Sequence, residues 1–262
     1  MLALVVIALT SQTACGTFFG GLGRTAADLL LPVSEENKLG DQLAKEVEKK
    51  QKLHPNQELQ AYVASVGAKI ARHVRDAPKG IKFTYKVIDD DKTVNAFALP
   101  GGHIYIYSGL LKLAGDEAEL ASVLGHETAH VTQRHLAQRI VAQYGIETAI
   151  GLAIGKNPSL VEKIAAQLIE GGSLNRFTHS EEADADAHGL PYAVAAGYDP
   201  KGMVRFFEKL KKGGEGPHFM TYLSDHPLPS ERIAAARARI AKMRHPPTTT
   251  NRATYEQKKR LI

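Results

Sequence analysis

The sequence predicts an α+β fold that is mainly helical, with a small antiparallel β-sheet beside a long central helix. Three observations carry that expectation. Apolar residues recur every three or four positions over most of the chain. Strict alternation is concentrated in neighbouring runs between residues 81 and 107. One long helical pattern, from Asp116 to Tyr144, then separates those strands from further helical segments downstream.

The chain opens with MLALVVIALTSQTACGTFFGG, an apolar run from Leu2 to Leu9, then small and polar residues around the one cysteine, Cys15. The run is well short of the roughly 20 residues that a bilayer span needs, so residues 1–15 read as an export signal peptide. Ala14 matches the small residue of a bacterial lipobox, although Gln12 stands where leucine is usual. A lipid anchor at Cys15 and a plain signal with an incidental cysteine both fit. One thiol makes no internal disulfide, so cysteine usage leaves the redox compartment open. Residues 16–33 read as a linker.

From Ser34, SEENKLGDQLAKEVEKK places Leu39, Leu43 and Val47 at helical spacing, with acids in the first turn and lysines in the last. A second helix starts at Asn56, a good N-cap, and aligns Leu59, Val63, Val66, Ile70 and Val74. IKFTYKVID alternates through Ile81, Phe83, Tyr85 and Val87. A further strand, a Pro100-Gly101-Gly102 turn and a run through Ile104 and Ile106 complete the expected antiparallel sheet. Residues 145–172 are apolar and Gly-punctuated but broken by Glu147, Lys156 and Glu162, which suits a mobile lid or a segment touching a bilayer surface; one reading makes it a membrane anchor. Helices are expected at about 179–196, 200–212 and 229–243, and residues 246–262 as a loosely held tail.

Composition narrows function less than it narrows fold. The 262 residues with 44% hydrophobic content suit one large domain or two small ones, which excludes disorder throughout. The net charge of +5 is spread along the chain and comes with no nucleic-acid recognition motif, so a nucleic-acid partner is not expected.

Chemistry concentrates in HETAH, residues 126–130. On a helix, positions i and i+4 share a face, so His126 and His130 project their imidazoles the same way and can grip a tetrahedral zinc. Glu127 sits about 100° round the helix, displaced from the ligand line yet within reach of a water at the metal, the place for a general base. A buried helix carrying three polar groups needs partners for them. Zinc held by two histidines needs a third protein ligand. The more distant histidine of one HExxH pattern is excluded, because Gln133 and Leu136 occupy the positions required. His135, five residues beyond His130, faces away from the ligand pair and reads as a surface or supporting residue. Downstream, EEADADAHGL places Glu182 and Asp186 four apart, so Glu182 can bind the metal while Asp186 accepts from the free nitrogen of a ligating histidine. An acidic first turn favoured by the helix dipole is the plainer alternative.

From about Asn37 to Arg239 the chain resembles the Ste/HtpX/BepA/OMA-like zinc metallopeptidases, a gluzincin family, in its bacterial periplasmic form. TVNAFALPGGHIYIYSGLL resembles the family's NAF-PGG strand pair, LASVLGHETAHVTQRH its zinc helix, EEADADAHGL its Glu-x-x-Ala-Asp-x-x-Gly element, and AGYDP and DHPLPSERI its later elements. The resemblance implies a minigluzincin-like domain over residues 34–245 and one zinc per chain, held by His126, His130 and Glu182. It selects Glu182 over Glu181, makes Glu127 the general base, sets Asp186 behind a ligand, and places His226 and Arg232 at the cleft. Those two would polarise the scissile carbonyl, or His226 would cap the zinc at rest. A substrate strand would pair with an edge strand holding His103, Ile104 and Tyr105, shaped by Asn95, Gly101 and Gly102. Thr178-His179 replaces the family's Ser-Arg, and Pro191 falls inside the ligand helix.

The implied function is zinc-dependent endoproteolysis of unfolded or misassembled envelope proteins, a form of protein quality control in the periplasm. The alternative is a chaperone or assembly factor that holds polypeptide in a latched, rarely cleaving site. The expected partners are polypeptide substrates, with a membrane surface or lipid anchor as a further one; the sequence says nothing of oligomeric state.

Overall fold

The protein is described by a computed structural model over residues 31–170, 174, 176–213, 222–227 and 230–262. Cys15, the signal segment and most of the expected linker lie outside the described residues.

Helix α1 (Val33–Lys50) buries Leu39, Leu43 and Val47 and follows the expected charge order, Glu35 and Glu36 first, Lys49 and Lys50 last. Helix α2 (Gln57–Ala71) is capped by the Asn56 side-chain oxygen, which accepts from the amides of Glu58 and Leu59. Strands β1 (Thr84–Ile88), β2 (Ala96–Ala98) and β3 (His103–Tyr107) form one sheet in the order β1-β3-β2. The fold is α+β and mostly helical, as expected, but the sheet is mixed. β2 runs antiparallel to β3 with Phe97 opposite Tyr105, whereas β1 runs parallel to it with Tyr85 opposite Ile104. Alternation reports which face of a strand is buried and nothing about its neighbour's direction. The tight 3-10 turn Pro100–Gly102 forces only β2 and β3 to be antiparallel. That turn requires its glycines: Gly102 has φ 103°, and a β-carbon there would lie 2.6 Å from the Lys82 carbonyl oxygen.

After the short α3 (Ser108–Leu113), the long expected helix is two helices, α4 (Glu117–Thr132) and α5 (His135–Tyr144). The chain turns at Arg134, which is left-handed at φ 59°. Its buried guanidinium holds that corner, donating from Nε to Glu36 at 2.5 Å and from Nη2 to the Leu31 carbonyl at 2.5 Å. No periodicity encodes this contact across 98 residues.

Helices α6 (Ile146–Ala153) and α7 (Pro158–Glu170) pack with α1 through Leu152, Val161, Ile164 and Leu168. Among the described residues no helix is long and apolar enough to cross a membrane, so the described part of 145–172 is no span. Helices α8 (His179–Ala195), α9 (Lys201–Gly213) and α10 (Ser230–Ala241) follow, and Pro191 is accommodated within α8. The tail expected to be loosely held is instead folded, with a last helix α11 (Arg252–Lys259). Tyr255 is buried there and donates to the Leu111 carbonyl at 2.6 Å, and the Glu117 amide donates to the Thr250 carbonyl at 3.0 Å.

The sheet separates two cores. Tyr85, Val87, Ala96, Ile104 and Ile106 join α2, α4, α8 and α9 on one side; Phe97, Tyr105 and Tyr107 join α1 and α5 to α7 on the other. Helices α4 and α8 meet in the first core, and the chemistry sits between them.

Candidate metal centre

Three side chains, contributing two nitrogens and the two oxygens of one carboxylate, converge between α4 and α8. His126 Nε2 lies 3.0 Å from His130 Nε2 and 3.5 Å from Glu182 Oε2, and His130 Nε2 lies 3.3 Å from Glu182 Oε1. A tetrahedral metal with bonds of about 2.0–2.1 Å separates its ligands by about 3.3–3.4 Å. The three side chains therefore form a triangle already sized for zinc. Each is at most 2% exposed.

Local sequence explains why they meet. Glu182 lies in the first turn of α8, where Thr178 caps the helix and Glu181 completes a capping box, its carboxylate accepting from the Thr178 amide at 2.7 Å. Glu181 is thus spent on the helix end and Glu182 is left to point inward. Asp186, one turn later, accepts from His126 Nδ1 at 3.0 Å, which leaves His126 Nε2 facing the site. Arg232 of α10 grips Asp186 through Nε at 2.7 Å and Nη2 at 2.8 Å, donates to the Pro227 carbonyl and contacts Glu182.

The position of Arg232 corrects one expectation. Its buried guanidinium is engaged with the carboxylates of Asp186 and Glu182, which leaves it no open face for a scissile carbonyl. Another correction concerns His103, Ile104 and Tyr105. Strand β3 lies between β1 and β2, so its main chain is paired on both sides and offers no edge to a substrate. His103 instead contacts Asp41, and the Tyr105 hydroxyl donates to Glu48. The sheet edge beside α4 is β2, where the Ala96 amide donates to the Asn95 side-chain oxygen at 2.9 Å. Leu99 N donates to the His103 carbonyl and Tyr107 N to the Asn95 carbonyl, so the intervening Ala96 and Ala98 turn their backbone groups away from β3.

Glu127 is fully buried, and both of its carboxylate oxygens lack a hydrogen-bond partner. Burial raises its pKa, against the pull of His226 and His126. A buried carboxyl that makes no hydrogen bond, beside a metal-sized triangle, suits a proton acceptor. Burial likewise opposes the Glu182 charge, but His226, His126 and Arg232 overcome it and hold that carboxyl well below its usual range. Burial drives His130 down, whereas His126, despite the same burial, is pushed up to about 10 by Glu182 and Asp186.

His226 closes the site. Its Nδ1 lies 2.9 Å from Glu182 Oε1 and 3.3 Å from His126 Nε2, and its Nε2 lies 3.6 Å from Glu127. With His126, His130 and Glu182 it forms a buried group whose ligand atoms all lie within 4.8 Å of one another. Tyr222 stacks on its ring at 4.8 Å, and Asp225, its neighbour, accepts from Asn95 at 3.1 Å. Asn95 thus ties β2 to the segment carrying His226, while Gly101 and Gly102 serve the turn.

Sequence reasoning missed several supports. Phe177 stacks on His130 at 4.0 Å; His135, expected as a surface or supporting residue facing away, is a support that faces inward, 2.9 Å from His130 through the two Nδ1 atoms. The turn at Arg134 is the reason: a helical projection does not pass through a left-handed residue.

The fold and the site, an HExxH helix with a buried glutamate carboxylate beside its two histidines, are those of the metallopeptidase class. Residues 54–240 match peptidase family M48, and the chain belongs to that family. It is 30% identical over 252 residues to the beta-barrel assembly-enhancing protease of Escherichia coli, covering 91% of this chain and 50% of that protein. It is 30% identical over 207 residues to the metalloprotease LoiP of the same bacterium, covering 78% and 79%. Against the mitochondrial metalloendopeptidase OMA1 of Schizosaccharomyces pombe it is 33% identical over 144 residues, covering 55% and 42%. The chain spans about half the length of the assembly-enhancing proteases it matches.

Proposed function

We propose that this chain is a zinc endopeptidase of the bacterial cell envelope that cleaves unfolded or misassembled polypeptide and rests in a latched form. The observation that carries this reading is the triangle of His126, His130 and Glu182, at separations of 3.0–3.5 Å, beside Glu127, whose carboxyl makes no hydrogen bond. Zinc bound there supplies Lewis acidity to a water and to the scissile carbonyl. Glu127 would serve as the proton acceptor for the attacking water and as the donor to the leaving amine, and burial raises its pKa in the sense both transfers need. Asp186 fixes the tautomer of His126, and Arg232 fixes Asp186.

An extended substrate pairs with the outer edge of β2, where Ala96 and Ala98 face away from β3. Such pairing reads backbone more than side chains, which suits unfolded chains. His226 occupies the place substrate and water need, so the site opens only when His226 leaves Glu182. The envelope location rests on the export-signal pattern of residues 1–15. Release of the mature protein by salt without detergent would count against a lipid anchor.

The test is cleavage of reduced casein by the purified mature chain beside Glu127→Gln. Cleavage by the unaltered chain, at least about 100-fold faster than by the variant, is the expected result. Equal rates would overturn the role of Glu127. Bound zinc with no cleavage by either would favour a holding protein.

A further inference from the structure

His126 and His130 face the same site but are supported differently. His126 Nδ1 contacts a carboxylate directly, Asp186. His130 Nδ1 instead meets another imidazole, His135 Nδ1 at 2.9 Å, and the far nitrogen of that ring, Nε2, lies 3.4 Å from Asp184 Oδ2. We propose that His135 is the positioning residue for the metal ligand His130, holding its ring through a hydrogen bond between the two Nδ1 atoms and handing the load to Asp184. The inference rests on the zinc-site reading above.

The tautomers follow by elimination. His130 Nε2 points at His126 Nε2 and Glu182, so a metal-bound His130 carries its proton on Nδ1. Nδ1–H then donates, His135 Nδ1 accepts, and the proton of His135 stands on Nε2, directed at Asp184. No atom in the chain is asked to play both parts. The outer link is the longer one and the weaker. Asp184 is steadied in turn by His188, whose Nε2 lies 3.6 Å from it and whose Nδ1 contacts Asp76 at 2.8 Å.

The arrangement also follows from the chain. The left-handed Arg134 swings His135 back under His130, and Phe177 covers both rings, with centroids at 4.0 Å from His130 and 6.1 Å from His135. Asp184 and Asp186, two residues apart on α8, therefore each serve one of the two histidines of α4, Asp186 directly and Asp184 through His135. A ring that merely filled space beside Phe177 would need neither nitrogen at these distances.

The experiment compares zinc affinity of the unaltered chain, His135→Phe, His135→Gln and Asp184→Asn by competition with a chromophoric chelator, with nitrogen NMR of the zinc-loaded proteins reading the histidine tautomers. His135→Phe keeps the packing and loses the acceptor, and its zinc dissociation constant is expected to rise about 10–100-fold. His135→Gln, which offers a carbonyl oxygen, is expected to recover most of that loss. Asp184→Asn, at a 44% exposed side chain, is the variant least able to disturb folding and is expected to weaken zinc by a smaller factor. In the unaltered chain His130 should carry its proton on Nδ1 and His135 on Nε2. An affinity for His135→Phe within twofold of the unaltered chain, or a proton on His135 Nδ1, would overturn the proposal while leaving the zinc site standing. Failure of the unaltered chain to bind zinc would overturn both readings together.

Discussion

Gly125 and Gly189 bring α4 and α8 into backbone contact: a β-carbon on Gly125 would lie 2.7 Å from the Gly189 carbonyl oxygen, and one on Gly189 would lie 2.8 Å from the Cα of His126. The helices reach this separation only because both positions lack a side chain. Glu182 lies two turns before Gly189 on α8, and His126 directly follows Gly125, so the same contact sets the size of the ligand triangle. Gly189→Ala is expected to push the helices apart, destabilise the protein by about 1–3 kcal/mol and weaken zinc binding together. Chemical denaturation and zinc titration of one sample check this. Lost stability with unchanged zinc affinity would mean that the triangle is set elsewhere.

On the latched reading proposed above, His226 stands where a substrate carbonyl would approach; its ring is held by Glu182, by stacking on Tyr222 and, through neighbouring Asp225, by Asn95. Removing the ring opens the site and leaves His126, His130 and Glu127 in the chain, at the loss of its contacts to His126 Nε2 and Glu127. His226→Ala is expected to raise casein cleavage several-fold at unchanged substrate concentration. A fall of about 10-fold or more would assign His226 to the reaction itself, as a group that stabilises the developing charge.

Zinc uptake must displace a proton. In the metal-free protein Glu182 and Asp186 outweigh burial and push His126 up to about 10, so at neutral pH the ring is charged and cannot bind a metal. This raised value stabilises the metal-free fold fully below the unfolded value near 6.5, and that contribution is lost as pH rises through about 10. Metal affinity has the opposite slope. It is expected to increase by up to about tenfold per pH unit between about 7 and 9, with close to one proton released per zinc. Calorimetry in buffers of different ionisation enthalpy counts that proton. A heat independent of buffer would show that His126 is already neutral.

What was legible in the sequence is what regular helices project. His126 with His130, and Glu182 with Asp186, are i and i+4 pairs, and each pair lies on one helical face as spacing requires. The hairpin of β2 and β3 was equally legible from Pro100-Gly101-Gly102. The misreadings all involve relations between elements. Nothing in alternation says that β1 joins β3 in parallel or that β3 is central. His135 was assigned to the wrong side because a single left-handed residue, held by a guanidinium bonded across 98 positions, resets the helical phase. The support that Phe177 gives His130 comes from the residue before the α8 cap, where no periodicity operates.

The tail was misread for a related reason: its anchor is one aromatic residue in a polar stretch. Tyr255 is 2% exposed and packs in the same core as α2 and α4, while Asn251 donates to Glu117, which also accepts from Tyr62 and Tyr198. Glu117 is the first residue of α4, so the tail clamps the start of the helix whose other end carries His126 and His130. Tyr255→Ala removes a buried ring and a hydrogen bond to the Leu111 carbonyl, and a loss of about 3–5 kcal/mol is expected from the cavity it leaves. The zinc site is remote from the substitution, so zinc affinity of the folded fraction should stay within about twofold. Urea unfolding beside zinc titration separates the two effects. A stability change under about 1 kcal/mol would show that α11 is dispensable to the core, and a large loss of zinc affinity in fully folded protein would show that the clamp reaches the metal end of α4.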